Sequence, residues 1–472
     1  MPLPTTNAVL LRCFVLSGSI LLTSCASLQR TEEPVAVSPI IAPNLPIQKL
    51  PDDGSPNPDV TFTEGQSNKL PVIDIRSSPN LSEVLTRALS YHPKIRAAGS
   101  EHLARQAEVQ QASRVPNPEF ETEIENFAGN GDFSGFEGAE TTIAISQRIE
   151  LGNKRQQRTT EAIASSRVAA FELETKRLEV FQDTSRRFYE ALAAQEELKV
   201  TNDLLRSAHR LEKAVNTRVR AGNANILEQQ RVSLISSRAK ITHAQAKVRR
   251  INSLKGLATV VSLPVTQIKS VSGDLFEVTQ PLPEASLRAH LSSNPQAEGA
   301  AAEVARRRAA LAVAQADRIP DLSLTGGARF DQESNDRAFI ASVGLPLPVF
   351  NRNKGAIASA QARVNQGIFE QQAQNIELET LFGEHYSALV SAAEKTLTFQ
   401  KELIPAARKN FQTTSRAYEQ GKLDLVALID AQQTLSELEL ETVRSATQYH
   451  VTRIKLESLV GRAVTSSHAI AQ

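Results

Sequence analysis

The sequence predicts a mainly helical fold carrying two pairs of membrane-length β-strands, and three observations lead there. From Asn153 to Arg220 there is neither proline nor glycine, which at 1.5 Å per residue allows roughly 100 Å of unbroken helix. Four segments of about ten residues alternate apolar with polar side chains, which is the period of a strand and the length a tilted strand needs to cross a bilayer. Landmarks also recur in the same order. His92-Pro93, Arg114-Val115-Pro116, Asn153-Lys154 and Gly222 return as Asn294-Pro295, Arg318-Ile319-Pro320, Asn353-Lys354 and Gly421, with separations of 202, 204, 200 and 199 residues. So long a period marks an internal duplication rather than a solenoid of short units. Each copy supplies two strands and several helices, with no obvious core of its own.

The amino terminus reads as an address. Residues 1–24 contain Arg12 and a short apolar run, too short for a permanent spanning helix and suited to a signal peptide. Leu22-Thr23-Ser24-Cys25 resembles a bacterial lipobox, which implies cleavage before Cys25 and a lipid on that residue; an ordinary signal peptide with a cysteine at its cleavage site is the alternative. Cys13 lies inside the removed segment, so the mature chain would keep one cysteine and no internal disulfide. Residues 25–80 carry seven prolines from Pro34 to Pro58 and no sustained period, as expected of an extended tether.

The helices follow. Residues 81–89 form a short amphipathic helix, with Ser82 as the expected N-cap and Leu85 and Leu89 on one face. His92-Pro93 breaks it, and residues 94–113 resume without proline. In the long helix after Asn153, Val168, Phe171, Leu178, Phe181, Phe188, Leu192, Leu198, Leu205 and Leu211 recur at helical spacings. The second copy repeats this over 357–418, with interruptions expected at Gly367, Gly383 and Pro405, and return helices follow at 226–254 and 425–459. Helices this long need neighbours, in a bundle or a tube. The absence of tryptophan and an aromatic content of 5% point to a buried seam rather than a thick core.

In the strands, Glu119, Glu121, Glu123 and Glu125 alternate with Phe120, Thr122 and Ile124; Ile143, Ile145, Ile149 and Leu151 alternate with polar partners that include Arg148. In the second copy Leu322, Leu324, Ala328 and Phe330 alternate with Ser323, Thr325 and Arg329, and Phe339, Ala341, Val343 and Leu345 with Ile340, Ser342 and Gly344. Four strands cannot close a barrel, and open sheet edges are not tolerated in lipid. Either the sheet is a soluble one, or several chains pool their strands.

The runs Arg114-Val-Pro-Asn-Pro-Glu-Phe, Glu150-Leu-Gly-Asn-Lys-Arg155, Pro346-Leu-Pro-Val-Phe-Asn-Arg-Asn-Lys-Gly355 and Tyr418-Glu-Gln-Gly-Lys-Leu-Asp-Leu425 resemble the outer-membrane factor (TolC-like) family. The likeness covers about residues 80 to 462 and is greatest for the branch serving cobalt–zinc–cadmium-type efflux pumps. It implies a homotrimer in which long antiparallel helices form a trimeric α-barrel and four strands per chain pool into a twelve-stranded outer-membrane β-barrel. It also implies two repeats, 81–262 and 283–462, joined by an equatorial connector at 263–282 and followed by a tail at 463–472. The implied partners are a periplasmic adaptor (membrane fusion protein), an inner-membrane RND-type pump and outer-membrane lipid.

That resemblance assigns roles. Residues 127–138 and 331–336, rich in Gly, Asp and Asn, become external turns. Glu119, Glu121, Glu123 and Glu125 face the lumen, where a tripled acidic stripe would raise the local cation concentration. The turns at 221–225 and 420–424 become periplasmic tips, with Arg220, Gly222, Gly421, Lys422 and Leu423 as adaptor contacts. Val426 and Asp430, four apart on one helix face, match the apolar and carboxylate rings of a periplasmic gate.

Composition argues against other classes. Fifty-three basic residues balance 52 acidic ones, so no electrostatic case for nucleic acid arises. The eight histidines form no His-x-x-x-His or Glu-x-x-His pair, Glu384 and His385 diverge on a helix, and no phosphate loop or nucleophile motif occurs. The expectation is a conduit without catalysis, cofactor or resident metal. A multidrug or other small-molecule exporter shares these features. A periplasmic coiled-coil scaffold explains the helices but not the strands.

Overall fold

A computed structural model describes residues 76–465. The expected signal peptide, Cys25, all but the last residues of the tether and the end of the tail lie outside them. Helices α1 (Leu81–Tyr91) and α2 (Pro93–Ala112) precede strands β1 (Glu119–Glu125) and β2 (Glu140–Ile149), then α3 (Lys154–Arg220) and α4 (Ile226–Val260). The second copy holds α5 (Glu284–Arg288), α6 (Pro295–Ala316), β3 (Leu322–Asp331), β4 (Arg337–Gly344), α7 (Lys354–Thr398), α8 (Ile404–Glu419) and α9 (Leu425–Val460).

Local chemistry sets these boundaries. Asn80, not Ser82, caps α1, its Oδ1 accepting from the Glu83 amide at 2.9 Å; asparagine is at least as good a cap, and its position leaves Ser82 inside the first turn. His92 and Asn294 cap α2 and α6, each followed by a proline at the first helical position, where a missing N–H costs nothing. Asn153 and Asn353 both adopt the left-handed conformation just before α3 and α7, with φ of 59° and 56°.

Gly367 and Gly383 do not interrupt α7. Gly367 instead leaves room for the Arg307 side chain of α6. The break falls later, in a π turn at Phe399–Leu403, before Pro405 in the first turn of α8. The proline has no N–H to donate, and one extra residue in the turn absorbs that mismatch. No such turn occurs in α3, so the two copies differ here.

The strands form one antiparallel sheet in the order β1-β2-β3-β4, leaving β1 and β4 as edges. Beyond the sheet, α3 packs on α2, α4, α6 and α9, while α9 also packs on α7 and α8. The core is shared between copies: Phe181, Phe188 and Leu192 of α3 cluster with Leu254 and Leu257 of α4 and with Val443, Ala446 and Ile454 of α9. The second copy also has a cluster of its own, in which Leu287 and Leu291 pack with Leu378, Phe382, Leu389, Tyr449 and Leu456, so only the first copy borrows its core from the other.

Residues 263–282 bind this junction together. Gln195 clasps Val271 through both its amide atoms, at 2.7 and 3.0 Å, Gln400 donates to Phe276 O at 2.8 Å, and Tyr449 Oη donates to Thr279 O at 2.9 Å. Buried His450 stacks on Tyr189 with ring centroids 4.0 Å apart and donates from Nε2 to Leu275 O at 2.9 Å. Burial pushes its pKa down to about 3, so the ring is neutral. The last described part of the tether lies on this connector, with Ser77 O and Pro79 O accepting from Lys269, Ser270 and Ser272 amides.

Candidate functional site

The sheet has two chemically distinct faces. Register places Phe120, Thr122 and Ile124 beside Ile145, Ile143 and Thr141, then beside Gly326, Ala328 and Phe330, and finally beside Ala341, Phe339 and Arg337. This face is apolar and open: Phe120 is 72% exposed and Phe339 97%. A solvated soluble sheet buries such a face; a membrane barrel turns it to lipid. Among the described residues no helix is long and apolar enough to cross a membrane.

The opposite face carries Glu119, Glu121, Glu123 and Glu125 on β1, all exposed, across from Ser146, Ala144, Thr142 and Glu140 of β2. Thr142 and Ala144 are buried here, Thr142 beneath the Arg329 side chain that donates to its hydroxyl. Gly327 of β3 permits a close approach of the two strands here, since a Cβ on it would stand 2.3 Å from Ile143 O.

Two arginines temper the acidic stripe. Arg329 lies opposite Thr142 and pairs with Glu140 at 2.9 Å and Glu125 at 3.7 Å; Arg148 reaches Glu119 at 3.6 Å. Glu125 and Glu140 face each other directly, a destabilising pair without a cation between them. Among the described residues neither Glu121 nor Glu123 joins an ion pair. Sequence reading put Arg148 and Arg329 on the polar positions but gave them no role, because their partners depend on register across strands.

The helical tips are alike. At α3–α4, Gly222 has φ +73° and the Asn223 amide bonds back to Arg218 O at 2.8 Å; at α8–α9, Gly421 has φ +70° and the Lys422 amide bonds back to Ala417 O at 2.8 Å. These six-to-one closures need the left-handed residue that glycine supplies. Asn225 and Asp424 then cap the return helices through Leu227 and Ala427 amides, each at 3.0 Å. Arg220, Gly222, Gly421, Lys422 and Leu423 are all exposed. Beneath them, Leu211, Val215 and Val232 pack on Tyr418, Leu425, Leu428 and Ile429, and the Arg218 guanidinium sits 5.2 Å from the Tyr418 ring centroid. The two tips of one chain are thus fastened to each other.

Val426 and Asp430 share the exposed face of α9, while Leu425, Leu428, Ile429 and Ala431 turn inward. The chain's own core makes no use of either. A further feature went unread in the sequence although its spacing was available there. Leu227, Leu234, Ile241 and Val248 stand seven apart along α4, and all are exposed, Leu234 by 74%. On the other side of that helix Val232, Ser236, Ala239 and Ala246 meet the core. An apolar heptad stripe of this kind is the half of a helix–helix seam that awaits a partner.

Among the described residues no group of three His, Cys, Asp or Glu is placed to hold a metal ion. His385 is half-buried, and burial lowers its pKa, while Glu384 beside it points to solvent.

Comparison with known proteins agrees with this geometry. The profile described as "Outer membrane efflux protein" matches residues 84–262 and 287–462, one match for each copy. The cobalt-zinc-cadmium resistance protein CzcC of Cupriavidus metallidurans is 25% identical over 413 residues, covering 86% of this chain and 96% of that protein. The probable outer membrane lipoprotein SilC of Salmonella typhimurium is 21% identical over 76% of this chain and 80% of its own length. Among solved structures, the Campylobacter jejuni CmeC outer membrane channel superposes with a TM-score of 0.69 at 17% identity, covering 82% of this chain and 87% of that one.

Proposed function

The chain belongs to the outer membrane efflux protein family, and from that premise we infer that its channel exports heavy-metal cations. It is the outer-membrane channel of a tripartite efflux system. Channels of this family are homotrimers that work with adaptors and inner-membrane pumps.

The single observation that carries the conduit is the two-faced sheet with both edges open. A charged face and an apolar, lipid-type face suit a pore wall, and three such sheets close a twelve-stranded barrel with no edge left in lipid. The α4 stripe supports the same threefold assembly from the helical side. Likeness to CzcC along nearly its whole length favours metal cations over drugs as cargo. The residues of the tips, Arg220, Gly222, Gly421, Lys422 and Leu423, are the adaptor's contacts in this reading. Cys25 is the lipid anchor, a role supported by the lipobox and by the likeness to SilC. The two matched segments favour repeats at 81–262 and 283–462 around the connector.

The acidic stripe then acts as a cation attractor. Glu121 and Glu123 carry most of the effect, since Arg148 and Arg329 neutralise their neighbours. No bound metal is required. The cargo passes, and chemical selection rests with the pump.

Deleting the gene and titrating zinc, cobalt, cadmium, nickel, copper and a panel of antibiotics tests the cargo. Tolerance of one or more divalent metals falls several-fold and returns with the intact gene. Unchanged metal tolerance together with antibiotic hypersensitivity makes the protein a drug channel instead.

A further inference from the structure

The chain contains, within itself, a template for the contact it makes with its neighbour. We propose that β4 of one copy pairs antiparallel with β1 of the next in a single register, with Ala341 opposite Ile124, Val343 opposite Thr122 and Leu345 opposite Phe120. This rests on the trimeric channel reading and adds to it the residues that seal the wall.

The internal duplication supplies the register. The ends of α2 and α6 at Ala112 and Ala316, Arg114 and Arg318, and Pro116 and Pro320 are all displaced by 204 residues, so β1 corresponds to β3 on that shift. Within the hairpins Glu119 pairs with Ser146, and its counterpart Ser323 pairs with Gly344. Gly344 is therefore the counterpart of Ser146, and β2 corresponds to β4 on a shift of 198. The longer shift of 200 at Asn153 and Asn353 leaves two extra residues in the proline-containing link before α7.

The seam between β2 and β3 joins the second strand of one copy to the first strand of the other: Ile143 faces Ala328, Ile145 faces Gly326 and Gln147 faces Leu324. Moving each residue to its counterpart turns these into Ala341 with Ile124, Val343 with Thr122 and Leu345 with Phe120. Among the described residues the free edges are those two strands, β4 and β1. A second copy of this chain is the occupant that the duplication specifies.

Three independent features agree. Ala341 and Val343, like their matches Ile124 and Thr122, are on the apolar face of their own sheet, whereas a slip of one residue would set Phe120 against the charged side. The template seam holds ten pairs and the transferred one runs from Ala338 to Leu347, three residues past the end of β4. In the single chain those residues are coil with Leu345 and Leu347 exposed by 48% and 75%; in the seam both become lipid-facing positions of a lengthened strand. On the charged side the seam places Ser342 opposite Glu123 and Gly344 opposite Glu121, so no cation from the neighbour reaches these two carboxylates. The register and the cation-attracting stripe are consistent with each other.

Cysteine pairs in the full chain, assembled in its native membrane, read the register. Thr122 and Val343 of one chain sit on the outer strands of a four-stranded sheet, about 14 Å apart across it and a further ~13 Å along it, since Phe339 is the residue abreast of Thr122, too far for a disulfide within the chain. The double variant Thr122→Cys with Val343→Cys is expected, after mild oxidation, to run on a heated denaturing gel as reducible species of two and three chains. Glu123→Cys with Ser342→Cys samples the alternate pair geometry on the other face and gives the same ladder. Ile124→Cys with Val343→Cys and Phe120→Cys with Val343→Cys, each displaced by two residues, stay single. A ladder from a displaced pair, with none from the matched pairs, overturns the register while leaving a trimer with a different seam. No ladder from any pair in a protein that keeps a trimeric mass in mild detergent overturns the seam itself. Loss of trimeric mass in the unsubstituted protein overturns the trimeric reading on which the register rests.

Discussion

Glutamate at both Leu234 and Ile241 leaves the protomer folded and abolishes its assembly. The two side chains are 74% and 60% exposed in the single chain and contribute nothing to its core, so the monomer's stability shifts by no more than about 0.5 kcal/mol per site. In a trimer the same positions line a helix–helix seam. Burying each apolar side chain there is worth about 1.5–3 kcal/mol, and forcing an unpaired carboxylate into the seam costs several kcal/mol more. Threefold symmetry repeats the penalty at every interface. Circular dichroism of the double variant is expected to match the parent, while its mass in detergent drops to that of one chain. A trimer that persists with both substitutions would show that the α4 stripe faces something other than a second copy.

Alanine at Asp430 is the second large effect, and it concerns opening rather than assembly. Val426 and Asp430 lie on the face of α9 that the protomer leaves free, next to a tip whose other side is locked by Tyr418, Leu425 and Leu428. We propose that in the trimeric channel this face lines the gate, where three carboxylates converge and repel and so favour the open state. Removing a repulsion of ~1.4 kcal/mol changes an equilibrium about tenfold. Single-channel recordings in planar bilayers are therefore expected to show Asp430→Ala opening about tenfold less often. Unchanged conductance and opening frequency would remove Asp430 from the gate.

What the sequence made legible followed from period and from a few backbone-determining residues. Alternation found all four strands, though β2 and β4 each begin two residues earlier than the alternating positions suggested, because their turns end in residues that continue the hydrogen-bonding ladder. The run without proline or glycine marked α3 within one residue, and the glycines at 222 and 421 marked both tips. Features set by tertiary contact were another matter. Gly367 and Gly383 looked like interruptions, yet the packed length of α7 outweighs a propensity penalty of about 1 kcal/mol each. The π turn before Pro405 depends on how the helix accommodates a missing donor, which composition does not encode. The charges of Arg148 and Arg329 were visible and their partners were not, since a cross-strand pair exists only once a register is chosen. The α4 heptads were visible too, but spacing alone does not say whether a stripe meets its own chain or another.

Native mass spectrometry of the mature protein released from membranes in mild detergent tests the central claim most directly. Three chains in one particle, requiring detergent to stay in solution, is the result the open sheet and the free α4 stripe predict. A folded single chain that remains soluble in plain buffer would contradict it, because the exposed apolar face of Phe120, Ile145 and Phe339 would then need no lipid and its strand edges no neighbour.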